Sequence, residues 1–235
     1  KINIFICQNY LKNIKYKNIP KNINLIIKPN FFNIDFVKII WMQIFLPFEL
    51  IKLKVDKLYS PMNYCPLVCK FLKIQIILNI HSNLPWIYFR KMPGSTLKKI
   101  LIKKLMYLSI ISSDKIIVNS NFAKKELSNV LDIKSKKIFV NYLGVKDKNL
   151  KENKKDSKTY FNFRKKYILS ISSCVRYHDF INILKAFKQI IKRKKNLKLV
   201  FITQVLDQKY YEEIQAYVDE NFKKSEIYFF KNFSS

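Results

Sequence analysis

Apolar residues fall along this chain in two alternating patterns. Short runs with few polar interruptions predict strands at Ile2–Cys7, Ile23–Ile27, Lys57–Ser60, Ile74–Ile80, Lys115–Asn119, Lys137–Tyr142, Tyr167–Ser172, Leu197–Thr203 and Glu226–Phe230. Between them, helical spacing predicts helices at Asp35–Leu53, Cys65–Leu72, Thr96–Ser109, Phe122–Leu131, Phe180–Lys192 and Gln208–Phe222. In the helix from Phe180, the residues Phe180, Ile183, Leu184, Phe187, Ile190 and Ile191 share one face. Ala123, Leu127, Val130 and Leu131 do the same in the helix from Phe122. Runs such as IQIILNI and KLVFIT leave no polar face, so those strands are expected to be covered on both sides. Strands of that kind alternating with helices imply α/β units with doubly wound parallel sheets.

The stretch Lys146–Lys166 breaks the pattern, being mostly polar and charged. It predicts a first domain over 1–147, a linker over 148–165 and a second domain over 166–235. The second carries only about three strands, short for a doubly wound domain, and is expected to be incomplete.

Composition narrows the chemistry. Apolar residues make up 49% of the 235 and aromatic residues 15%, enough for a packed core. The two glycines, Gly94 and Gly144, exclude a glycine-rich phosphate loop, and with it the P-loop and dinucleotide-binding classes. The net charge is +29, from 45 basic and 16 acidic residues, which suits a polyanion or an anionic membrane face. Joint enrichment in Lys, Asn and Ile is also what A/T-rich coding produces, so charge alone does not define a partner. The basic residues are scattered lysines with no recognition motif, so a nucleic-acid partner is not expected.

Cys65 and Cys69 sit four apart on an expected helix, Cys7 and Cys174 elsewhere, and no C-x-x-C occurs. With His81 and His178 in separate segments, reduced thiols and no metal are expected. The N-terminus shows no cleavage site, and the apolar stretch Ile39–Ile51 is broken by Gln43, Pro47 and Glu49. A cytoplasmic protein, soluble or peripheral on the inner membrane face, is expected.

Candidate chemistry gathers where strands give way to helices, the edge at which open α/β sheets bind ligands. His81 follows the strand Ile74–Ile80; Ser120 and Asn121 follow Lys115–Asn119 and also suit helix capping. Ser173, Arg176 and His178 lie between the strand Tyr167–Ser172 and the helix from Phe180, which Asp179 is placed to cap. An Arg beside a helix N-terminus is a plausible diphosphate site.

Four segments in order, NIHSNLPW, SDKIIVNSNFAKKEL, KIFVNYLGV and YILSISSCVRYHDFINILKAF, resemble the GT-B glycosyltransferases of family GT4 across residues 55–205. The resemblance implies two Rossmann-like domains, the second incomplete, with the first strand and helix of the family missing. It implies a retaining glycosyltransferase that moves a sugar from a nucleotide-sugar donor to a glycan or lipid-linked acceptor. Arg176, with His178, would hold the diphosphate; His81 would face the cleft near the transferred sugar. Ser120 and Asn121 would stand on the cleft wall and, with Ser173, bind substrate, with no metal or other cofactor.

The chain departs from the family in three places. His178 stands where the family usually has Lys, and Ser172 and Ser173 where it often has Gly. The glycine-flanked pair of acidic residues that binds the donor sugar has no counterpart; Glu212 and Glu213 are expected to be solvated on a surface helix. Weak or no activity of the chain by itself follows. The rival readings are a non-catalytic paralogue or partner subunit and, less favoured, a basic nucleic-acid-binding protein.

Overall fold

The structure, a computed structural model, describes residues 1–13, 19–144, 166–194 and 196–231; the linker expected over 148–165 lies outside them. Strands form at the apolar runs, and every pair of them is parallel. β1 (Ile2–Cys7) pairs with β2 (Ile23–Lys28). β3 (Lys57–Ser60), β4 (Gln75–Ile80), β5 (Lys115–Val118) and β6 (Ile138–Val140) make a four-stranded sheet in chain order. β7 (Tyr167–Ile171), β8 (Lys198–Thr203) and β9 (Ile227–Lys231) make a three-stranded one. The helices are α1 (Asp35–Ile40), α2 (Leu46–Lys52), α3 (Leu84–Ile87), α4 (Thr96–Ser112), α5 (Asn121–Leu131), α6 (Phe180–Arg193) and α7 (Gln208–Asn221). This is the parallel α/β architecture that the alternation predicts. Among the described residues, no helix is long and apolar enough to cross a membrane.

Two expectations are corrected. The helix expected over Asp35–Leu53 is interrupted by a π turn at Trp41–Phe45. Pro47 supplies the reason: it has no N–H for the carbonyl of Gln43, and its ring crowds that carbonyl, so the preceding turn widens. The helix expected over Cys65–Leu72 shrinks to one 3-10 turn, Leu67–Lys70. Its end groups are drawn elsewhere. The Cys65 N–H donates to Ser109 Oγ (3.1 Å), and the Gln43 amide takes the Cys65 carbonyl (2.8 Å) and the Leu67 N–H (3.1 Å). Lys73, at φ 56°, then turns the chain into β4.

The chain divides into two units, one of Lys1–Asn83 and Lys104–Tyr142, the other of Leu84–Lys103 and Leu143–Ser235. In the first, Ile76, Leu78 and Ile80 of β4 and Ile116 and Val118 of β5 are buried, with Met106, Ile110 and Leu127 packed among the core residues. Of the face expected on α5 only Leu127 is fully buried; Val130 is 46% exposed. Lys137 donates from Nζ to the carbonyls of Ile110 and Ile111, closing the end of α4. β1 and β3 each have one edge unpaired with any other described strand, and both border a cavity of about 1000 Å³. Consecutive residues, Lys1 to Cys7 and Leu53 to Met62, line it. Side chains alternate between faces along a strand, so lining by consecutive residues marks the hydrogen-bonding edges.

In the second unit, Leu199, Val200 and Phe201 are buried in succession, as a strand covered on both faces requires. Phe180, Leu184 and Phe187 of α6 and Tyr210, Tyr211 and Ile214 of α7 complete the core. Phe201 stacks between Phe180 (4.8 Å) and Phe229 (5.0 Å).

Phe201→Ala removes this shared ring and is expected to cost about 3–5 kcal/mol. A urea midpoint unchanged from the parent would contradict the packing described. The cysteines give a second check. Cys65, Cys69 and Cys174 are buried, and burial pushes the thiols of Cys69 and Cys174 up to about 11. At mildly alkaline pH, iodoacetamide is expected to modify Cys7 alone in the folded chain and all four thiols in urea, counted by intact mass.

Candidate functional site

In the first unit, three neighbouring parallel strands deliver a polar cluster to their C-terminal ends. Pro61 follows β3, His81 follows β4 and Asn119 follows β5. Register sets their proximity: Ser60 lies opposite Leu78, and Ile80 opposite Val118. The Pro61 carbonyl is 2.7 Å from His81 Nε2. A carbonyl only accepts, so Nε2 carries the proton and Nδ1 of the neutral ring is the acceptor. The Asn119 amide nitrogen lies 3.5 Å from that Nδ1. The His81 backbone N–H donates to Asn63 Oδ1 (2.8 Å). His81 is exposed but held on three sides.

Beside it is a residue not singled out in the sequence. Asn79, 8% exposed on β4, donates to Tyr59 Oη (3.3 Å) and lies 3.5 Å from His81 Nε2. Its Oδ1 is buried without a partner. A buried acceptor of this kind is costly unless something donates to it. The loop after His81 is fixed through Asn83, whose amide donates to Glu126 Oε2 (2.9 Å) on α5.

Ser120 and Asn121 open α5. Ser120 Oγ accepts from the Ala123 N–H (3.1 Å), so this hydroxyl acts as the N-cap. Asn121 donates from its side chain to Tyr142 Oη (3.0 Å).

In the second unit, the chain leaves β7 through Ser172–Val175 into a 3-10 turn, Arg176–His178, directly before α6. An isolated bridge between Cys174 and Val205 prolongs the β7–β8 pairing past the strands. The Cys174 carbonyl also accepts from the N–H of Asp207 (3.2 Å). This strap brings the start of α7 beside the turn. Asp207 caps α7 through the Tyr210 N–H (3.0 Å), and its carboxylate lies 3.7 Å from Arg176 Nε. The Arg176 guanidinium stands 5.1 Å from the centre of the Tyr210 ring. One turn further on, the Glu213 carboxylate takes both terminal nitrogens of Arg176, at 2.9 and 2.5 Å. This two-point pairing holds the Glu213 carboxyl below its usual range and raises the Arg176 guanidinium.

Ser173, Arg176 and His178 are thus brought together. The Ser173 carbonyl accepts from His178 Nδ1 (2.7 Å), which places the proton of the neutral ring on Nδ1 and leaves Nε2 as its outward nitrogen. His178 is exposed.

Glu213 is exposed on α7, as expected, and its carboxylate is also the partner of Arg176. One expectation here is corrected. Asp179 does not cap α6 through its side chain: its backbone is left-handed (φ 52°, ψ 49°) and its carboxylate accepts from the Asn182 amide (2.7 Å). The first-turn donors of α6 are also partly taken, Ile181 N–H by Tyr210 Oη and Asn182 N–H by the Asp179 carbonyl. Among the described residues, no group of three or more His, Cys, Asp or Glu is placed to hold a metal.

The comparisons with known proteins agree with this geometry at the level of fold. The family model for Glycosyltransferase Family 4 matches residues 4–149. The Anabaena protein Alr3699/HepE, solved in complex with UDP and glucose, is similar at 12% identity and a TM-score of 0.63, covering 94% of this chain and 58% of that one. Its complex with UDP-glucose gives 9% identity and a TM-score of 0.60, over 98% and 61%. TarM is similar at 14% identity and a TM-score of 0.51, over 80% and 36%. This chain therefore spans about three fifths of the first two structures and about a third of TarM. No curated protein sequence matches it significantly. The family match covers more than half of the chain, and the parallel α/β units are those of GT-B glycosyltransferases: the chain belongs to Glycosyltransferase Family 4.

Proposed function

We propose that this chain carries parts of a retaining glycosyltransferase that takes a sugar from a nucleotide-diphosphate sugar and passes it to a glycan or lipid-linked acceptor. Residues 1–147 are read as the acceptor-side domain, and 166–235 as belonging to the nucleotide-sugar-binding domain. The observation that carries this reading is the Arg176–Glu213 clasp. A carboxylate already sits on the two parallel N–H donors that a phosphate would take, so the fork is pre-set for an oxyanion. The solved relatives in complex with UDP and UDP-glucose support the same donor class.

In this reading Arg176 binds the diphosphate and offsets the charge that develops as the bond to the anomeric carbon breaks. The acceptor oxygen bonds to that carbon on the face the diphosphate leaves, and its proton passes to the departing phosphate. His178 presents Nε2 beside Arg176 and adds a second cation when protonated. Ser173 orients that ring through its carbonyl. In the first unit, His81 and Asn79 offer polar contacts to a sugar, with Ser120 and Asn121 holding the loop-to-helix junction beside them. No metal or cofactor is assigned a role. An anionic membrane face is the proposed setting, on the cytoplasmic side.

Three outcomes test the reading. UDP titrated calorimetrically at low ionic strength is expected to bind, and Arg176→Ala to weaken it about tenfold or more. Equal affinity in the variant would remove Arg176 from the site. Glu213→Gln is expected to strengthen binding a few-fold, because the diphosphate no longer displaces a charged competitor. Sugar transfer by the 235-residue chain is expected to be weak or absent, since no glycine-flanked acidic pair occurs in it; robust transfer from UDP-glucose would refute this. The same clasp also favours a second reading, a non-catalytic subunit whose Arg176 is permanently occupied. That reading predicts no UDP binding even in Glu213→Gln.

A further inference from the structure

We propose that the helical run from Asp35 to Lys52 is a self-association surface, on which a second copy of this chain packs its own run antiparallel about a two-fold axis. The run is α1, the π turn and α2 in succession, and it is apolar on two sides. Met42, Leu46 and Leu50 are buried in the first unit. Phe36, Ile40, Ile44, Phe45, Phe48 and Ile51 are exposed. A helix that is apolar all round is normally covered all round.

The exposed residues form one stripe. Phe36, Ile40, Ile44 and Phe48 follow one another at intervals of four. Four residues overshoot an α turn, so such a row drifts around a regular helix; they fall short of the wider π turn, which brings the row back into line. Gln43 does not interrupt it, because its amide is turned to Cys65 and Leu67. Phe36 is 72% exposed, Phe45 55% and Phe48 62%. At roughly 200 Å² per aromatic side chain, these three alone leave about 400 Å² of apolar surface in water. With the three isoleucines added, the stripe approaches the roughly 800 Å² per partner of a standard interface.

The choice of occupant follows from the charge. In a chain of net charge +29, this run carries two acidic residues, Asp35 and Glu49, and two basic ones, Lys38 and Lys52, so it is neutral. The ten residues between Lys38 and Glu49, IIWMQIFLPF, carry no charge at all. An uncharged aromatic centre with charges at its ends has the anatomy of a protein interface. The signs also suit self-pairing. The order is acid, base, acid, base, and a two-fold axis between positions 43 and 44 sets 35 opposite 52 and 38 opposite 49, unlike charges in both cases. Glu49 also meets Lys28 within its own unit. A bilayer fits less well. A helix lying in headgroups needs a charged face beside its apolar one, whereas the far side of this helix is buried apolar residues.

The test is sedimentation equilibrium of the 235-residue chain from low to high micromolar concentration, at physiological salt. A reversible dimer of twice 28.3 kDa is expected. Ile44 lies beside the two-fold, so Ile44→Lys sets two ammonium groups against each other and is expected to weaken the dimer about tenfold or more. Ile44→Glu is expected to do the same. Mixed in equal amounts, the two variants are expected to pair with each other, which native mass spectrometry reads from their different masses. Phe48→Ser, which adds no charge, is expected to weaken the dimer while leaving the urea midpoint as in the parent. A chain that stays monomeric over the whole range overturns the proposal. So does a dimer that Ile44→Lys and Phe48→Ser leave intact, or a mixture of the two charged variants that forms no mixed dimer. If the monomer instead sediments with phosphatidylcholine vesicles and Ile44→Lys does not, a bilayer covers the stripe and the proposal fails. Binding or loss of UDP bears on the proposed function and leaves these outcomes unchanged.

Discussion

In a parallel sheet all strands leave at the same edge, and the hydrogen-bond ladder fixes where each one leaves. Both polar clusters of this molecule depend on that constraint. In the first unit, register places the residues after β3, β4 and β5 side by side, so Pro61, His81 and Asn119 meet although they are far apart in sequence. In the second, pairing carried beyond β7 and β8 by the Cys174–Val205 bridge brings Asp207, and with it α7, to Arg176. β4 and β8 are buried on both faces, so close packing on either side holds their ladders in register. Even so, β4 and β8 each carry, at or next to their last residue, a buried polar atom without a partner, Asn79 Oδ1 and Thr203 Oγ1. Such atoms sit at the edge where sheets of this kind meet their ligands.

Charge is distributed by scarcity. With 45 basic residues against 16 acidic, carboxylates are the limiting group, and several of the described ones are committed to particular contacts. Glu49 meets Lys28, Glu126 anchors the loop after His81 through Asn83, and Asp114 accepts the Ile76 N–H at the start of β4. Asp207 and Glu213 both lie at Arg176. Two carboxylates thus converge on one arginine. The pairing is exposed enough that solvent weakens it, which is what an exchangeable ligand contact needs.

Much of the fold was legible in the order of residues. Strand identity followed from short apolar runs, and all nine expected strands form, with bounds shifted by a residue or two, because a buried parallel strand has no polar face to disguise it. The start of α5 was legible from Ser120, and the buried face of α6 from Phe180, Leu184 and Phe187. The family too could be read in four ordered segments. Where the reading failed, the cause was a contact with a distant element. Cys65–Leu72 has helical spacing, yet Gln43 and Ser109 take its end groups, and neither is near it in sequence.

The sequence by itself determined which residues would arrive at strand ends, since strand, turn and helix are set by local pattern. It determined His81, Arg176 and His178 as groups just past the ends of strands, and the absence of a glycine-rich phosphate loop from these residues. Only the tertiary structure decided whom those groups meet. Asn79 lies on a strand and reads as an ordinary polar residue until Tyr59 and His81 surround it. Glu213 is an exposed helix residue that gains Arg176 as a partner only because the β7–β8 strap lays α7 against the turn. Leu97 and Leu101 lie in the helix expected over Thr96–Ser109, and only the structure shows that they are exposed. Periodicity says which side of a helix is apolar, but the packing partner that covers that side comes from another part of the chain.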